Sequence, residues 1–344
     1  MTREHLRQIL TVFLGTGAYD STNKEYSAPF NHQGTGAINT LVLTLLSMIA
    51  DLKQNVIFAM EEPEIAIPPY TQKSIINSVI GKSAQAIFTS HSPYVLEEFA
   101  PTQIIVIDRN DGNLNGNPAE LPPAVKQKMY REEVKRRFCE ALLARRVLIV
   151  EGRTEYDTFP RLAKRLYELD PNTYSSLESL GIAIISADAD SQIAPLGDYF
   201  RSLGKTTYAV YDEQDVESSV AIRNTVDYSY ESPEKGFENV LLKNIPEHVL
   251  RAYVKNLIDE NLWLSNYEKI NPETDDFTEI KKKIGNYFRN NKTSGSAADC
   301  LCMCSINEIP QYVLDTLKDI RNTVLAVASS DSSTEELISC MEGK

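Results

Sequence analysis

The chain has 344 residues, of which 42% are hydrophobic, and a formal net charge of −13. That length is enough for two domains with ordinary cores. No stretch approaches the roughly 18 uninterrupted apolar residues of a membrane helix, and the first residues are unlike a secretory signal, so we expect a soluble, cytoplasmic protein with no membrane partner. The charge argues against a surface that is basic throughout, but DNA stays open as a partner if cations occupy clustered carboxylates.

Helical and strand patterns alternate in the first third of the chain. Residues 37–53 and 71–81 have helical spacing, and short apolar strands are predicted at 55–60, 85–93 and 103–108. This alternation predicts an α/β fold with a mostly parallel sheet.

A new strand at residue 146 marks the predicted second domain. It follows the turn-rich segment 109–118, a proline pair at 122–123 and a charged helix at 124–144. The strands and helices predicted next are 146–152, 156–168, 182–187, 193–203 and 206–212, and the pattern is helical from about 245. We therefore predict a first domain, a helical connector and a second domain at residues 1–122, 123–145 and 146–344.

Carboxylates follow the strands of the second domain. Glu151 comes directly after the strand VLIV, Glu155 follows one helical turn later, and Asp212 ends the strand TTYAVY, while Asp188 and Asp190 follow a third strand. Taken alone, Glu155 is equally explained as an acid that favours a helix N-terminus. Several carboxylates at one sheet edge repel each other unless a cation neutralises them, and oxygen ligands of this kind suit Mg²⁺ or Mn²⁺.

VEGRTEYD, followed later by AVYDEQ, resembles a Toprim domain, the metal-binding module of topoisomerases, primases and OLD (overcoming lysogenization defect) nucleases. The Glu-x-x-x-Glu form is similar to the OLD family in particular. The resemblance implies a parallel-sheet, Rossmann-like domain in which carboxylates hold two metal ions. Glu151, Glu155 and Asp212 match the family motifs, whereas Gln214 stands where a second acid is expected, with Glu213 or Asp215 as substitutes.

A downstream segment completes the implied site. SPEKGFENVL resembles the acidic segment of the family and makes Glu238 and Glu234 candidate metal ligands. Lys292, in the sequence NNKT, stands where the family has a catalytic lysine; the alternative is an ordinary solvated lysine. The implied reaction is two-metal hydrolysis, in which one ion positions hydroxide and the other stabilises the leaving 3′ oxygen.

The first domain resembles the C-terminal lobe of an ABC-type ATPase. Glu61 and Glu62 follow a strand as in the Walker B element, where the first acid supports the magnesium of ATP and the second is catalytic. His91 lies in a loop similar to the switch histidine loop. Gly34 and Gly36, at a predicted helix start, resemble the signature loop that contacts nucleotide across a dimer interface.

The phosphate loop of such ATPases, GxxxxGK[ST], does not occur in the sequence. Gly81-Lys82-Ser83 provides only its last three residues and follows a helix. We therefore expect ATP to bind only if an N-terminal lobe or a partner polypeptide supplies this loop. The resemblance further implies a homodimer or larger homo-oligomer formed through the ATPase lobe.

The sequence thus predicts a DNA endonuclease or nickase, with phage defence and a UvrD-like helicase partner implied by the resemblance. The alternative is a non-catalytic regulatory or scaffold subunit with a decayed Toprim domain, which Gln214 favours slightly. A topoisomerase or primase is a second rival, for which the accessory domains are not recognised. The basic residues considered for contacts with the DNA backbone are Arg145, Arg146, Arg153, Lys281, Lys282, Lys283, Arg289 and Lys292.

Three of the five cysteines form the sequence Cys300-x-Cys302-x-Cys304. This spacing lacks the CxxC pairs and histidine partners of a zinc site. Reduced, partly buried thiols are therefore favoured over a metal site.

Overall fold

A computed structural model describes residues 12–53, 55–110, 113–131, 134–265 and 267–330. The chain divides into two compact units, Met1–Ile104 and Ile105–Lys344. The ends of the two predicted domains, residues 1–11 and 331–344, lie outside the described residues.

The first unit begins with a two-stranded antiparallel sheet and continues with a two-stranded parallel sheet. Its elements are β1 (Phe13–Tyr19), β2 (Glu25–Pro29), α1 (Thr35–Leu52), β3 (Ile57–Glu61), α2 (Pro69–Lys82), β4 (Gln85–Thr89) and α3 (Pro93–Leu96). The pairing of β3 with β4 places Glu61 opposite Thr89, so both strands end at the same edge.

Only one face of the β3–β4 sheet is covered within this unit. Phe58 and Val79 form its small buried core, with Leu46 and Phe88 packed against it. On the other face the side chains of Ile57 and Ile87 are 64% and 54% exposed. Because parallel strands are normally covered on both faces, this sheet is unusually open.

The second unit contains most of the buried residues. Its elements are β5 (Ile105–Asn110), β6 (Asn113–Pro118), α4 (Lys135–Leu143), β7 (Arg146–Val150), α5 (Arg153–Leu169), β8 (Ile182–Ser186), α6 (Ile193–Ser202), β9 (Thr206–Tyr211), α7 (Val216–Thr225), β10 (Tyr228–Glu231), α8 (Phe237–Asn244), α9 (Glu247–Asp259), α10 (Phe277–Asn290), α11 (Ser296–Cys302) and α12 (Gln311–Ser330).

The four-stranded sheet has the order β10-β9-β7-β8, and every neighbouring pair is parallel. Residues Val147 to Val150 of the central strand β7 are fully buried, because helices cover both faces of the sheet. Leu148 and Val210 belong to the large core that β7 and β9 share with α5, α8, α9 and α10. The α/β class predicted from the sequence is confirmed.

Two parts of the sequence prediction differ from the structure around residues 103–144. The turn-rich segment 109–118 contains strand β6, which pairs antiparallel with β5, so the predicted third strand does not join a parallel sheet. Gly116 lies opposite Ile107 and leaves room for the isoleucine side chains of β5. The predicted helix 124–144 is α-helical only in α4, and residues 132–133 lie outside the described residues.

Residues after Ile104 pack with the second unit, although the sequence placed the boundary at residue 122. The Tyr199 hydroxyl donates to the carbonyl of Ala119 at 2.8 Å. The Lys126 backbone N–H donates to the side-chain oxygen of Gln192, also at 2.8 Å. These contacts fix the segment before α4 against α6. In the part of the chain that the structure describes, no helix is long and apolar enough to cross a membrane.

Candidate metal centre

Glu151 and Asp212 lie side by side at the carboxyl ends of β7 and β9. The Glu151 N–H continues the ladder by donating to the Val210 carbonyl at 3.1 Å. The Asp212 N–H donates to Glu151 Oε2 at 3.0 Å. Open α/β sheets bind ligands at this edge, where parallel strands end.

Helix α5 adds Glu155 to this pair. Gly152 is the N-cap of α5, and Glu155 lies in its first turn, 5% exposed. A Cβ atom at Gly152 would lie 3.1 Å from Glu155 Oε2, which shows that the carboxylate points back toward the end of β7. The glycine therefore leaves the space that this buried carboxylate occupies.

The first turn of α8 brings in Glu238, which is buried. Gly236 precedes this helix with a φ of 91°, a conformation that glycine adopts far more easily than other residues. Thr154 Oγ1 donates to Glu238 Oε1 at 3.1 Å, and Lys292 Nζ lies 3.3 Å from the same oxygen. The Lys292 side chain is 53% exposed, so its ammonium group reaches the site from the solvent side.

The electrostatics of this group of carboxylates are strongly coupled. Burial raises the pKa of Glu155 to about 8, and the negative charges of Asp212, Glu238 and Glu151 add to the increase. Burial and the charge of Glu151 raise the pKa of Asp212 to about 7, against a hydrogen bond from Gly236 and the positive charge of Lys292. Crowded acids of this kind bind protons or cations, because either one relieves the repulsion.

The four carboxylates do not converge as a preformed coordination sphere. In the described ranges, no three His, Cys, Asp or Glu side chains are grouped closely enough to hold a metal ion. Glu151 Oε2 is instead engaged by the Asp212 N–H and by the side-chain amide of Gln214, at 3.2 Å from its Nε2 atom. Hydrogen-bond donors thus occupy positions around these oxygens that a cation would compete for.

Other acids named from the sequence are held elsewhere. The carboxylate of Glu234 pairs with Lys243. Asp215 caps α7 by accepting from the Ser218 N–H at 2.9 Å, which removes it as a simple substitute at position 214. Asp188, which follows β8, is exposed and accepts from the Ser186 hydroxyl. Only two of the three strand ends therefore contribute to the group.

Two residues near the site were not identified from the sequence. Thr154 binds Glu238, as described above, and Tyr312 lies on α12, far away in sequence. Burial raises the pKa of Tyr312, with contributions from the negative charges of Asp212 and Glu155, and its hydroxyl donates to the Tyr230 carbonyl at 2.9 Å. Thr154 lies inside the motif VEGRTEYD and could have been proposed, whereas nothing local in the sequence indicates Tyr312.

The basic residues nominated for DNA have different surroundings. Arg146 donates to the Leu180 carbonyl at 3.1 Å, and Arg153 pairs with Asp157 at 2.8 Å. Arg145 is exposed at the start of β7.

A separate set of nominated residues lies in the first unit. Glu62 follows β3 with a φ of 42°, and its Oε1 atom lies 3.7 Å from His91 Nε2, with His91 largely exposed and Glu62 partly buried. Glu64 Oε1 accepts from the Ser90 hydroxyl and the His91 N–H, at 2.8 and 2.9 Å. The structure therefore brings the ends of β3 and β4 together, with Glu61 exposed at the same edge.

The two glycines nominated with this set have different environments. Gly34 is the N-cap of α1, and a Cβ atom there would have open space around it. At Gly36, a Cβ atom would lie 2.1 Å from the Ala66 carbonyl oxygen, so a side chain cannot fit without backbone movement.

The cysteines of the segment 300–304 are free thiols. Cys300 and Cys304 are buried, and burial raises the pKa of both. Buried thiols with a raised pKa are poor nucleophiles, so the main role of these cysteines is packing.

Part of the sequence matches a known protein family. The family described as "Overcoming lysogenization defect protein-like, TOPRIM domain" matches residues 142–213, the segment that carries Glu151, Glu155 and Asp212. No curated protein matches the chain.

Two solved structures are similar to part of the chain. The C-terminal region of the Burkholderia pseudomallei OLD protein is 16% identical, with a TM-score of 0.37, covering 53% of this chain and 98% of that one. The C-terminal region of the Xanthomonas campestris pv. campestris OLD protein is 17% identical, with a TM-score of 0.35, covering 56% of this chain and 99% of that one.

Proposed function

Because residues 142–213 form an OLD-like Toprim domain, we propose that the chain is a metal-dependent DNA endonuclease or nickase. The observation that carries the proposal is the grouping of Glu151, Glu155, Asp212 and Glu238, in which crowding raises the pKa of Glu155 and Asp212. The same coupling makes a structural role for these acids alone costly, because buried like charges destabilise a fold.

The donor set fits Mg²⁺ or Mn²⁺. All four side chains offer hard carboxylate oxygens, which these ions prefer, and Glu155 and Asp212 gain from a cation that offsets their mutual repulsion. Bound ions would act as Lewis acids toward the phosphate and lower the pKa of water, as in other metal-assisted hydrolysis.

The protein itself would position and polarise the substrate. Lys292 would place its ammonium group beside the phosphate on which negative charge develops, since it approaches Glu238 from the solvent side. Thr154 would hold the Glu238 carboxylate through its hydroxyl. The buried strand ends of β7 and β9 would keep Glu151 and Asp212 at a fixed separation.

Nicking of a supercoiled plasmid by the purified chain tests the proposal, with Mg²⁺, Mn²⁺ or EDTA. We expect metal-dependent nicking that Glu151→Gln reduces about 100-fold or more, and that Lys292→Ala reduces by a similar factor. Glu217→Gln is the matched control, because Glu217 is an exposed acid on α7. Equal nicking by Glu151→Gln and the control would assign the activity to another site or to a contaminant.

One observation favours the second candidate, a non-catalytic subunit with a decayed Toprim domain. Gln214 occupies the position of a second acid and donates its amide to Glu151, at 3.2 Å. A folded chain that nicks with neither metal would support this candidate. Restoration of nicking by Gln214→Asp would then indicate that the single substitution had removed the activity.

The proposal extends, on family resemblance alone, to defence against phage, to a homo-oligomer and to a UvrD-like helicase as a partner. ATP binding by Gly34, Gly36, Glu61, Glu62 and His91 would require a phosphate loop from another segment or polypeptide. Nucleotide binding by the isolated chain, measured by calorimetry, would contradict that requirement.

A further inference from the structure

The basic residues of the segment 281–292 fall into two groups by their contacts. Lys283 is mostly buried, with Nζ 3.0 Å from Asp275 Oδ2 and 2.7 Å from the Lys269 carbonyl. Lys281 Nζ lies 4.5 Å from the centre of the Phe277 ring. These two lysines are engaged by the protein and are not available to a ligand.

Lys282 and Arg289 form the second group, together with Lys292. Lys282 and Arg289 are both exposed and lie seven residues apart on α10, so they share one face of the helix about 10 Å apart. Arg289 Nη1 donates to Asn286 Oδ1 at 3.1 Å, and Asn286 is exposed between them. In the described part of the chain, no carboxylate lies within ion-pair distance of Lys282 or Arg289.

The packing of α10 on α8 places Arg289 beside the helix that carries Glu238. A Cβ atom at Gly285 would lie 2.9 Å from Leu242 of α8 and 3.8 Å from an Nη atom of Arg289. Arg289 therefore lies beside the contact between α10 and α8. The first turn of α8 carries Glu238. Lys292, just beyond the end of α10, contacts Glu238 directly.

We propose that the α10 track, defined as Lys282, Asn286, Arg289 and Lys292, binds the phosphate backbone of the DNA strand that enters the carboxylate site. This inference rests on the proposed nuclease function and names the surface that holds its substrate. The helical part of the track, Lys282 to Arg289, covers seven helical rises, about 10 Å, comparable to about three nucleotides of one strand, and Lys292 follows just beyond the end of α10.

The α10 track is a basic surface on an acidic protein. The chain has a net charge of −13, so most of its surface repels DNA. Glu279, an acid on the same helix, lies 3.9 Å from Lys283. Lys282 and Arg289 therefore keep their charges available to a ligand, whereas Lys292 lies 3.3 Å from Glu238 Oε1.

Binding of a fluorescein-labelled 30-base-pair duplex, measured by anisotropy with Ca²⁺ in place of Mg²⁺, tests the inference over a series of salt concentrations. We expect Lys282→Ala/Arg289→Ala to weaken binding about tenfold or more. We also expect the slope of log K against log salt to decrease by about 1.8, since each phosphate contact contributes about 0.9. The control is Lys164→Ala/Lys255→Ala, which removes the same charge from two exposed lysines on α5 and α9.

The outcomes separate the track from the proposed function. Equal affinity and slope for the two double variants would overturn the track, as would failure of the wild-type chain to bind the duplex at low salt. Loss of binding in Lys282→Ala/Arg289→Ala, with no nicking by the wild type, would support the track and reject the nuclease. All four substituted side chains are exposed, and unchanged circular dichroism would verify that folding is intact.

Discussion

Glu155 is the most perturbed acid of the candidate site, and its surroundings set the pH dependence of stability. Its pKa is raised to about 8 in the folded chain, against an ordinary value of 4.5, with burial as the largest cause. The folded state therefore holds this proton more tightly than the unfolded state does. It follows that the free energy of unfolding decreases as pH rises from about 4.5 to about 8.

We predict that Glu155→Gln removes part of this dependence. In EDTA, the wild type should lose on the order of 2–4 kcal/mol more than the variant between pH 5 and pH 9, because only the wild type must bury a carboxylate at high pH. Urea unfolding at the two pH values measures the difference. Asp212 titrates in both proteins, so the difference between them reports the Glu155 carboxylate together with its coupling to Asp212, and Glu217→Gln should follow the wild type. Parallel pH curves for Glu155→Gln and wild type would contradict the assigned burial.

At the scale of elements, α12 protects the edge of the four-stranded sheet. β10 is an edge strand, and the Tyr312 hydroxyl donates to its Tyr230 carbonyl at 2.9 Å. In return, the Tyr230 hydroxyl donates to Asp319 on α12 at 2.8 Å. These two bonds join the helix to a strand whose free side would otherwise expose unpaired backbone groups.

We predict that Tyr312→Phe loosens this edge and leaves the rest of the sheet unchanged. Loss of one donor to a partly buried carbonyl should cost about 1 kcal/mol. Amide exchange followed by mass spectrometry should become faster over residues 228–231 and stay the same over β7. Tyr70→Phe serves as control, because Tyr70 is 90% exposed. Unchanged exchange over β10 in Tyr312→Phe would mean that the hydrogen bond contributes little.

The elements that the sequence predicted best are those with a local signal. β7, β8 and β9 are short apolar runs between helical patterns, and the structure places each within two residues of the expected range. β6 was missed because its Asn and Gly residues are typical of turns, and the ladder to β5 overrides that preference. The proximity of Lys292 and Glu238 followed from family resemblance, whereas Tyr312 depends on long-range packing that no local pattern encodes.

The two compact units of the whole molecule have very different cores. Among the described residues, the first unit buries a limited set of apolar side chains, such as Phe58, Ile76 and Val79, and has an open sheet face, whereas the second has a large core that includes Leu148 and Phe159. Because stability follows buried apolar area, the first unit should be much less stable than the second.

We predict two thermal transitions in scanning calorimetry. Phe58→Ala should lower only the first transition, and Leu148→Ala only the second, since each removes about 2–5 kcal/mol of packing from one core. Circular dichroism should show most of the signal lost in the second step. A single cooperative transition that both substitutions lower equally would contradict independent units.

The register between β7 and β9 has a consequence for redesign of the site. Val150 is paired with Val210, so Glu151 and Asp212 follow two strands about 4.8 Å apart, with Asp212 one residue further along its strand. Backbone hydrogen bonds between β7 and β9 set this strand spacing, so we do not expect a side-chain substitution at Glu151 or Asp212 to change it. Side-chain length is then the remaining variable: exchanging Glu for Asp would retract an oxygen by one methylene group. The sheet therefore fixes the positions of the two backbones, and the length of the side chains at these positions determines which radius of ion fits.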